Sequence, residues 1–261
     1  MTIATEPKHI VSLDASDTQI LFRIGAGKQV VAVDKDSDYP GAPRTSIDAT
    51  NPNIEAIAGY NPDLVITAYD DNNVVSGLQK LKIPVLLVNP PKDVNGAYAL
   101  WSALGKATGH QSEADSLVSG TRSDIAATVA KAPEPAQPLA YYYELDQTYY
   151  TATSHTFIGS LLGQFHLTNI GDPADSASAG GYPQLSQEAI IHANPGVIFL
   201  ADGQCCRQNL QAVQSRPGWT SISAVEEGNV FVLDEDQASE WGPNIDALMQ
   251  TVATDLTKAV K

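Results

Sequence analysis

Residues 53–67, with the sequence NIEAIAGYNPDLVIT, contain the pattern that decides the fold of this chain. The first half of the stretch suits one or two helical turns and ends at Asn61-Pro62, and the apolar run Leu64–Thr67 follows. Proline disfavours helical geometry at the residue before it, and a short apolar run bounded by a turn is typical of a buried strand. The stretch therefore predicts a helix, a proline turn and a buried strand.

The same order recurs at residues 187–200, QEAIIHANPGVIFL. Each copy has a Glu-Ala-Ile triplet, then three residues, then an Asn-Pro pair; the triplets are Glu55-Ala56-Ile57 and Glu188-Ala189-Ile190. The offset between the copies is 188 minus 55, or 133 residues. Duplication of one lobe explains this repeat, and the frequent use of Asn-Pro at loops and turns is the alternative. Under either explanation we expect two lobes of similar structure.

Strands and helices alternate on both sides of these stretches. Residues 9–14 are typical of a strand and residues 16–27 of a helix capped by Ser16 or Asp17, and a strand is also predicted over residues 149–152. Strands that alternate with helices predict mainly parallel sheets with helices on both faces. We therefore predict an α/β fold with two Rossmann-like lobes.

Residues 93–130 are predicted to form a long helix that Gly105 and Gly109 interrupt or bend. A proline-rich segment, APEPAQP, follows at residues 132–138 and marks a boundary. We therefore predict an N-terminal α/β lobe over residues 1–92, a linking helix and proline-rich connector over 93–137, and a C-terminal α/β lobe over 138–261.

The composition excludes several classes of partner. The 261 residues include 15 Lys and Arg against 30 Asp and Glu, a net charge of −15, which argues against binding a nucleic-acid backbone. No apolar run is long enough to span a membrane, and the first residues lack the apolar core of a signal peptide. We expect a monomer that is attached to the membrane only through a lipid anchor outside this sequence.

No common catalytic motif is present. The sequence lacks a Gly-x-Ser-x-Gly elbow, a Gly-x-x-x-x-Gly-Lys phosphate loop and a His-Glu-x-x-His zinc motif. Two α/β lobes create a cleft, and clefts between domains bind small molecules. We predict a binding protein that is not an enzyme and has no cofactor or metal of its own. The alternative from another class is an extracytoplasmic metal-dependent enzyme, which would need converging histidines and carboxylates.

The two cysteines, Cys205 and Cys206, are adjacent, so their Cα atoms lie about 3.8 Å apart across a trans peptide. A bond between them would close an eight-membered ring, and two free thiols are the alternative. We predict the ring, because an oxidising compartment favours it.

Aromatic residues occur mainly in loops, where stacking surfaces suit a large planar ligand. Tyr39 and Tyr182 stand beside prolines in polar loops. At least one of Tyr141–Tyr143 is expected to be core, because strand side chains alternate between faces, and a structural role of this kind covers about half of the aromatic residues. The predicted ligand-binding residues are Tyr39, Tyr69, Tyr150, His155, Tyr182, Cys205, Asp236 and Trp241.

Several segments together resemble the helical-backbone class of periplasmic-type solute-binding proteins of ABC importers, which bind cobalamin, haem or ferric siderophores. The resemblance spans almost the whole chain and implies an extracytoplasmic protein, periplasmic or anchored at the outer face of the cell membrane, that binds its ligand between the lobes and delivers it to a permease. It rests on residues 9–13, 24–27, 37–40, 51–57, 61–66, 216–219, 224–225 and 228–232.

The cobalamin-binding branch resembles this chain best at the ligand site. Its aromatic before Pro-Gln, its tyrosine after Ser-Asp and its late-loop aspartate fall on Tyr182, Tyr39 and Asp236. Ala49 and Ala68 depart from that pattern, which tends to have tryptophan there. The resemblance therefore implies a corrinoid ligand, with a ferric hydroxamate siderophore or haem as the alternative; haem would take Tyr39, Tyr182 or His155 as axial ligand.

Ligand charge and transporter docking complete the predictions. No Lys or Arg occurs between Lys131 and Arg207, which disfavours anionic siderophores that are held by arginines. The family docks on its permease through one acidic residue of each lobe. By resemblance this role falls on Asp70 or Asp71, in place of the usual glutamate, and on Asp202.

Overall fold

The computed structural model describes residues 6–135 and 137–260, so residues 1–5, 261 and Ala136 of the predicted connector lie outside the described residues. The chain forms two compact units. The N-terminal unit contains the residues up to Pro91, Asn95–Arg122 and Trp241–Pro243, and the C-terminal unit contains Lys92–Val94, Ser123–Glu240 and the residues from Asn244 onward.

The N-terminal unit is built on a sheet of five parallel strands in the order β3-β2-β1-β4-β5. The strands are β1 Ile10–Ser12, β2 Val30–Asp34, β3 Arg44–Ile47, β4 Leu64–Thr67 and β5 Val85–Leu87. The first helices in chain order are α1 Ala15–Arg23, α2 Ile54–Ala58, α3 Val74–Lys80, α4 Val94–Thr108 and α5 Gln111–Lys131, and the last of these extends into the C-terminal unit.

The C-terminal unit contains four parallel strands in the order β7-β6-β8-β9. They are β6 Ala140–Glu144, β7 Thr168–Asn169, β8 Val197–Leu200 and β9 Val230–Val232. Its helices are α6 Phe157–Leu162, α7 Gln187–Ala193, α8 Gly203–Cys206, α9 Leu210–Gln214, α10 Ser223–Glu226, α11 Glu235–Ser239 and α12 Ile245–Ala259. The predicted α/β class with parallel sheets is confirmed.

The sequence repeat occupies equivalent places in the two sheets. Helix α2 leads into β4, which lies between β1 and β5, and α7 leads into β8, which lies between β6 and β9. Asn61 and Asn194 both adopt the left-handed conformation, with φ of 51° and 47°. Asparagine tolerates this conformation better than most residues, which explains its use before the proline at both joints.

The long helical segment is two helices, because Gly109 adopts a left-handed φ of 81° between α4 and α5. Glycine is common at the end of a helix for this reason. Gly105 does not break the helix. A Cβ atom there would collide with Ala114, so its absence allows α4 and α5 to approach closely.

Three local predictions were wrong. Residues 149–152 are not a strand, since Tyr149 has a φ of 70° and only Tyr150 forms a bridge, with Gln184. Strand β3 was missed because its residues, RTSI, are mostly polar or exposed and lie at a sheet edge. The cap of helix α1 is Asp14 and not Ser16 or Asp17, because the Asp14 side chain accepts a hydrogen bond from Asp17 N at 3.1 Å.

Candidate functional site

The predicted site residues cluster in loops that follow the carboxyl ends of the parallel strands, and this edge is where α/β sheets bind ligands. In the N-terminal unit, Tyr39 follows β2 and Tyr69 follows β4. In the C-terminal unit the loops after β6, β8 and β9 carry Tyr150, Cys205 and Asp236. Each unit therefore presents a candidate half-site of its own.

Tyr39 is half-buried and lies against Phe22 of α1, with ring centroids 5.1 Å apart and an interplanar angle of 39°. Gly27 leaves space for Phe22, since a Cβ atom there would lie 2.7 Å from the Phe22 ring. The contact orients one face of the tyrosine and leaves part of the ring accessible.

A buried polar network holds the start of the Tyr39 loop. The Thr18 hydroxyl lies 2.9 Å from that of Ser12 and 3.0 Å from that of Ser37, and Ser37 donates a short hydrogen bond to Asp34. Burial raises the pKa of Asp34. Because Ser37 stands two residues before Tyr39, the network fixes where the tyrosine loop leaves the sheet.

Trp241 packs within the N-terminal unit on the first turn of α1. Its backbone N–H donates to the Ser16 hydroxyl at 3.2 Å, and its carbonyl accepts from the Trp101 indole at 3.1 Å. Burial and the neighbouring Asp14 raise the pKa of the fully buried Asp17 well above its usual range, and the Trp241 indole partly offsets this rise. The Trp241 ring is partly exposed.

Tyr69 is 53% exposed, and its carbonyl accepts a hydrogen bond from the Thr67 hydroxyl at 2.9 Å. Asp70 and Asp71 are also exposed. The Asp70 carboxylate accepts from Val75 N at 2.9 Å and so stabilises the start of α3. Both carboxylates are accessible, as the docking hypothesis requires.

In the C-terminal unit, Tyr150 and Tyr182 lie on two segments that are paired by backbone hydrogen bonds. Thr151 N donates to the Pro183 carbonyl at 3.0 Å and Thr153 N to the Gly181 carbonyl at 2.9 Å. The two tyrosines remain 41% and 45% exposed. We call Tyr150 and Tyr182 the aromatic platform.

His155 lies beside the platform with a side chain that is 71% exposed. Its Nδ1 atom is 3.2 Å from Asp175 Oδ2, so this nitrogen is engaged. A direct contact between His155 and a ligand would therefore have to use Nε2.

Cys205 and Cys206 are bonded to each other through their Sγ atoms, and their Cα atoms are 3.8 Å apart. Glu235 of α11 accepts hydrogen bonds from Gln204 N at 2.5 Å and from Cys205 N at 2.7 Å. The next residue, Asp236, is exposed. Glu235 therefore joins the disulfide segment to the turn that carries Asp236.

Tyr141, Tyr142 and Tyr143 are all buried, so the expectation that at least one of them belongs to the core is confirmed. Strand β6 lies inside the sheet and both of its faces are covered, which is typical of a parallel strand. Tyr141 OH accepts from Asn169 at 2.7 Å, and Tyr143 OH donates to the Ala238 carbonyl at 3.1 Å.

Asp202 is 1% exposed, which does not suit its predicted role in docking. Burial, together with the nearby Glu144 carboxylate, raises the pKa of Asp202 to about 7. In this conformation the side chain is covered by the protein and cannot meet an arginine of another protein. The burial of Asp202 has no bearing on the docking role predicted for Asp70 and Asp71.

Sequence reasoning did not assign a role to a buried ion pair at the end of β6. Arg216 donates to both oxygens of Glu144, at 2.6 and 2.5 Å, and its guanidinium lies 4.4 Å from the centroid of the Trp219 ring. The RPGW sequence at residues 216–219 was the available signal, but it gives no indication of the partner 72 residues away.

Within residues 6–135 and 137–260, no group of three or more His, Cys, Asp or Glu side chains could hold a metal ion. No helix in the same ranges is long and apolar enough to cross a membrane.

Comparison with known proteins gives consistent matches. The pattern of a family described as periplasmic binding protein matches residues 10–237. An uncharacterised ABC transporter substrate-binding lipoprotein of Bacillus subtilis is 31% identical over 94% of this chain and 78% of its own length. A cobalamin-binding protein of Halobacterium salinarum is 30% identical over 94% of this chain and 68% of its own.

A solved structure from Staphylococcus epidermidis is similar along its full length. It is described as a possible iron-binding (periplasmic solute-binding) protein and superposes with a TM-score of 0.83 at 26% identity, covering 97% of this chain and 99% of that one.

Proposed function

Because this chain belongs to the periplasmic binding protein family, we propose that it is the extracytoplasmic solute-binding protein of an ABC importer and that its ligand is a corrinoid of the cobalamin type. The similarity to an ABC substrate-binding lipoprotein supports the importer, and the similarity to a cobalamin-binding protein supports the ligand. In this role the corrinoid is cargo and not a cofactor, and the protein itself has no enzymatic activity.

The observation that carries the proposal is the set of exposed aromatic side chains at the carboxyl edges of both sheets. Tyr150 and Tyr182 form a platform in one unit, and Tyr39 is supported by Phe22 in the other. Aromatic faces suit a flat macrocycle. An exposed carboxylate such as Asp236 accepts hydrogen bonds from the amide side chains of a corrin ring.

Charge favours a corrinoid over an anionic ligand. The propionates of haem and the carboxylates or catecholates of siderophores are usually bound by arginine. Residues 132–206, which include both tyrosines of the aromatic platform, contain no Lys or Arg, and beyond them Arg207 is exposed while the charge of Arg216 is neutralised by Glu144. A ligand with little negative charge is therefore favoured at the aromatic platform.

Iron-chelate binding is the second candidate. A similar solved structure is described as a possible iron-binding protein, and Tyr39 and Tyr182 carry accessible phenols that are chemically suited to haem iron. A ferric hydroxamate would also satisfy the charge argument.

The proposed partner is a permease, with Asp70 and Asp71 as the docking residues of the N-terminal unit. We further propose that the protein acts as a monomer outside the cytoplasm and is anchored to the membrane through a lipid. Rim carboxylates of this kind mainly affect the rate of encounter with a basic surface.

The proposal is tested by parallel titrations with cyanocobalamin, ferrioxamine B and haemin, followed by thermal unfolding and absorbance. A ligand that binds the folded state raises the Tm by mass action. Stabilisation by cyanocobalamin alone is expected. Stabilisation only by ferrioxamine B or haemin would assign the protein to iron uptake.

The substitution Tyr182→Ala tests whether the ligand binds at the aromatic platform. We expect it to weaken cobalamin binding about tenfold, since an aromatic contact contributes roughly 0.5–1.5 kcal/mol beyond the area it buries. Tyr60→Ala is the matched control, because Tyr60 is 39% exposed and stands before β4, at the other edge of the sheet from the candidate site. Equal losses in the two variants would contradict the assignment.

A further inference from the structure

Asp175 joins three segments beside the aromatic platform, although it is not among the proposed ligand contacts. Its Oδ1 atom accepts hydrogen bonds from Ser176 N at 2.8 Å and Gly181 N at 3.0 Å. Its Oδ2 atom lies 3.2 Å from His155 Nδ1 and 3.4 Å from the Thr153 hydroxyl. This one carboxylate therefore links both ends of the loop over residues 175–181 to the paired segment that contains Thr153 and His155.

Gly181, the residue directly before Tyr182, is held from both sides. Its N–H donates to Asp175, and its carbonyl accepts from Thr153 N. Its φ is 93°, which favours glycine, and a Cβ atom would lie 2.7 Å from Thr156 Cγ2. These two hydrogen bonds, together with the one that Tyr182 N donates to the Ala179 carbonyl at 2.9 Å, set the direction in which Tyr182 leaves the backbone.

We propose that Asp175 is a positioning residue that holds Tyr182 at the angle needed for ligand stacking, and that His155 affects binding through Asp175 without contacting the ligand. The ligand half of this inference rests on the proposed function. The positioning half concerns the ligand-free protein and stands by itself.

The charge state of Asp175 supports this role. The hydrogen bond from His155 is the main cause that lowers the pKa of Asp175, and the N–H groups of Gly181 and Ser176 lower it further. An ionised carboxylate only accepts hydrogen bonds, so both of its oxygens suit the four donors around them. Alanine offers no acceptor at this position, so all four of these donors would lose their partner.

Asp175→Ala is the test variant and Asp172→Ala the matched control. Asp172 lies in the same loop and accepts from the N–H and the hydroxyl of Ser154, both at 2.8 Å, so it anchors the opposite segment and has no hydrogen bond to Gly181. Asp175→Glu keeps the carboxylate and serves as the conservative variant.

The first readout is amide hydrogen exchange in the full chain without ligand. Asp175→Ala removes the acceptor of the Gly181 N–H, so it is expected to speed exchange at Gly181 about tenfold or more, because a hydrogen bond to a charged group is among the stronger ones in proteins. Asp172→Ala should leave this amide unchanged, and Asp175→Glu should retain part of its protection. Unchanged exchange at Gly181 in Asp175→Ala would overturn the positioning role.

The second readout is the affinity for cyanocobalamin in a double-mutant cycle. Asp175→Ala is expected to weaken binding about fivefold in the native background and to have almost no effect in Tyr182→Ala, because its effect passes through that ring. His155→Gln should add nothing once Asp175 is replaced. Independent losses from Asp175 and Tyr182, or from His155 and Asp175, would overturn the inference.

The two readouts separate the two proposals. If the native protein does not bind cyanocobalamin, the proposed ligand is wrong, while the exchange experiment still decides whether Asp175 positions Gly181 and Tyr182. If cobalamin binds and exchange at Gly181 is insensitive to Asp175, the function stands and the positioning role is rejected.

Discussion

Glu144 and Arg216 show how strongly single residues depend on distant partners in this protein. Glu144 is fully buried at the end of β6, and Arg216 is 11% exposed over the Trp219 ring. A buried carboxylate is tolerated only with a cation and hydrogen bonds to compensate for the lost water. The pair also explains why Arg216 is not available to bind an anionic ligand.

Arg216→Met should therefore destabilise the protein by about 3–5 kcal/mol, because it leaves an uncompensated buried charge. The double variant Glu144→Gln with Arg216→Met removes that charge and should recover part of the loss. Urea unfolding followed by tryptophan fluorescence measures both. A double variant as unstable as the sum of the single variants would show that the two side chains act independently.

Asp202 should make stability depend on pH. Its pKa in the folded protein is raised to about 7, so between pH values of about 4 and 7 the folded state holds a proton that the unfolded chain has released. Stability from this group is therefore highest below about pH 4, falls as the pH rises to about 7 and is constant above it.

Asp202→Asn should remove this contribution. Asp14, whose pKa burial raises to about 6, acts in the same direction, so the difference between native protein and variant isolates Asp202. A tenfold change in proton affinity corresponds to about 1.4 kcal/mol of free energy. Between about pH 4 and 7, the difference in the free energy of unfolding between the native protein and Asp202→Asn should therefore change by about 3–4 kcal/mol. Parallel stability curves would show that Asp202 is ionised in the folded protein.

At the scale of elements, carboxylate side chains hold the short segments after the strands by accepting hydrogen bonds from backbone N–H groups. Asp175 holds the segment before Tyr182, and Glu235 holds the N–H groups of Gln204 and Cys205 at the start of α8. The disulfide between Cys205 and Cys206 restrains the same turn. Loops that carry binding residues on a rigid sheet gain their accuracy from such contacts.

Replacing both cysteines by serine should loosen α8 with little effect on global stability. The stabilisation by a disulfide increases with the logarithm of the length of the loop it closes, and a loop between neighbours contributes only about 1 kcal/mol in that account. We expect faster amide exchange at residues 204 and 205 and a Tm close to that of the native protein. A large fall in Tm would mean that the ring supports the core of the unit.

At the scale of the whole molecule, the net charge of −15 favours a basic partner surface. The exposed pair Asp70 and Asp71 is the proposed contact with the permease, whereas Asp202 is buried and cannot provide the second one in this conformation. The acidic surface also agrees with a ligand of low negative charge.

Asp70→Asn with Asp71→Asn should reduce uptake about tenfold while leaving the Kd for cobalamin unchanged, since interface charge pairs contribute upwards of about 1.5 kcal/mol. Asparagine at position 70 keeps an acceptor for Val75 N, so α3 should remain intact. Glu113→Gln with Asp115→Asn on α5 makes the same change in charge and is the control. Normal uptake by the Asp70 and Asp71 variant would reject this docking site.

The α/β class and several strands could be predicted from the sequence because their signals are local. Strands β4 and β8 have the predicted bounds, 64–67 and 197–200, since an Asn-Pro turn and an apolar run define each of them. The platform residue Tyr182 was likewise found from its polar, proline-flanked loop, and the structure leaves it exposed. Periodicity and turn residues act over a few positions, and these features need no more than that.

Only the tertiary structure decided which polar groups are paired and which are covered. The burial of Asp202 and of all three residues Tyr141–Tyr143 depends on elements that pack over them from elsewhere in the chain. Glu144 meets Arg216 across 72 residues, and Asp175 meets His155 across 20. Such contacts leave no periodic pattern, because they arise where strands that are distant in sequence end at the same edge of a sheet.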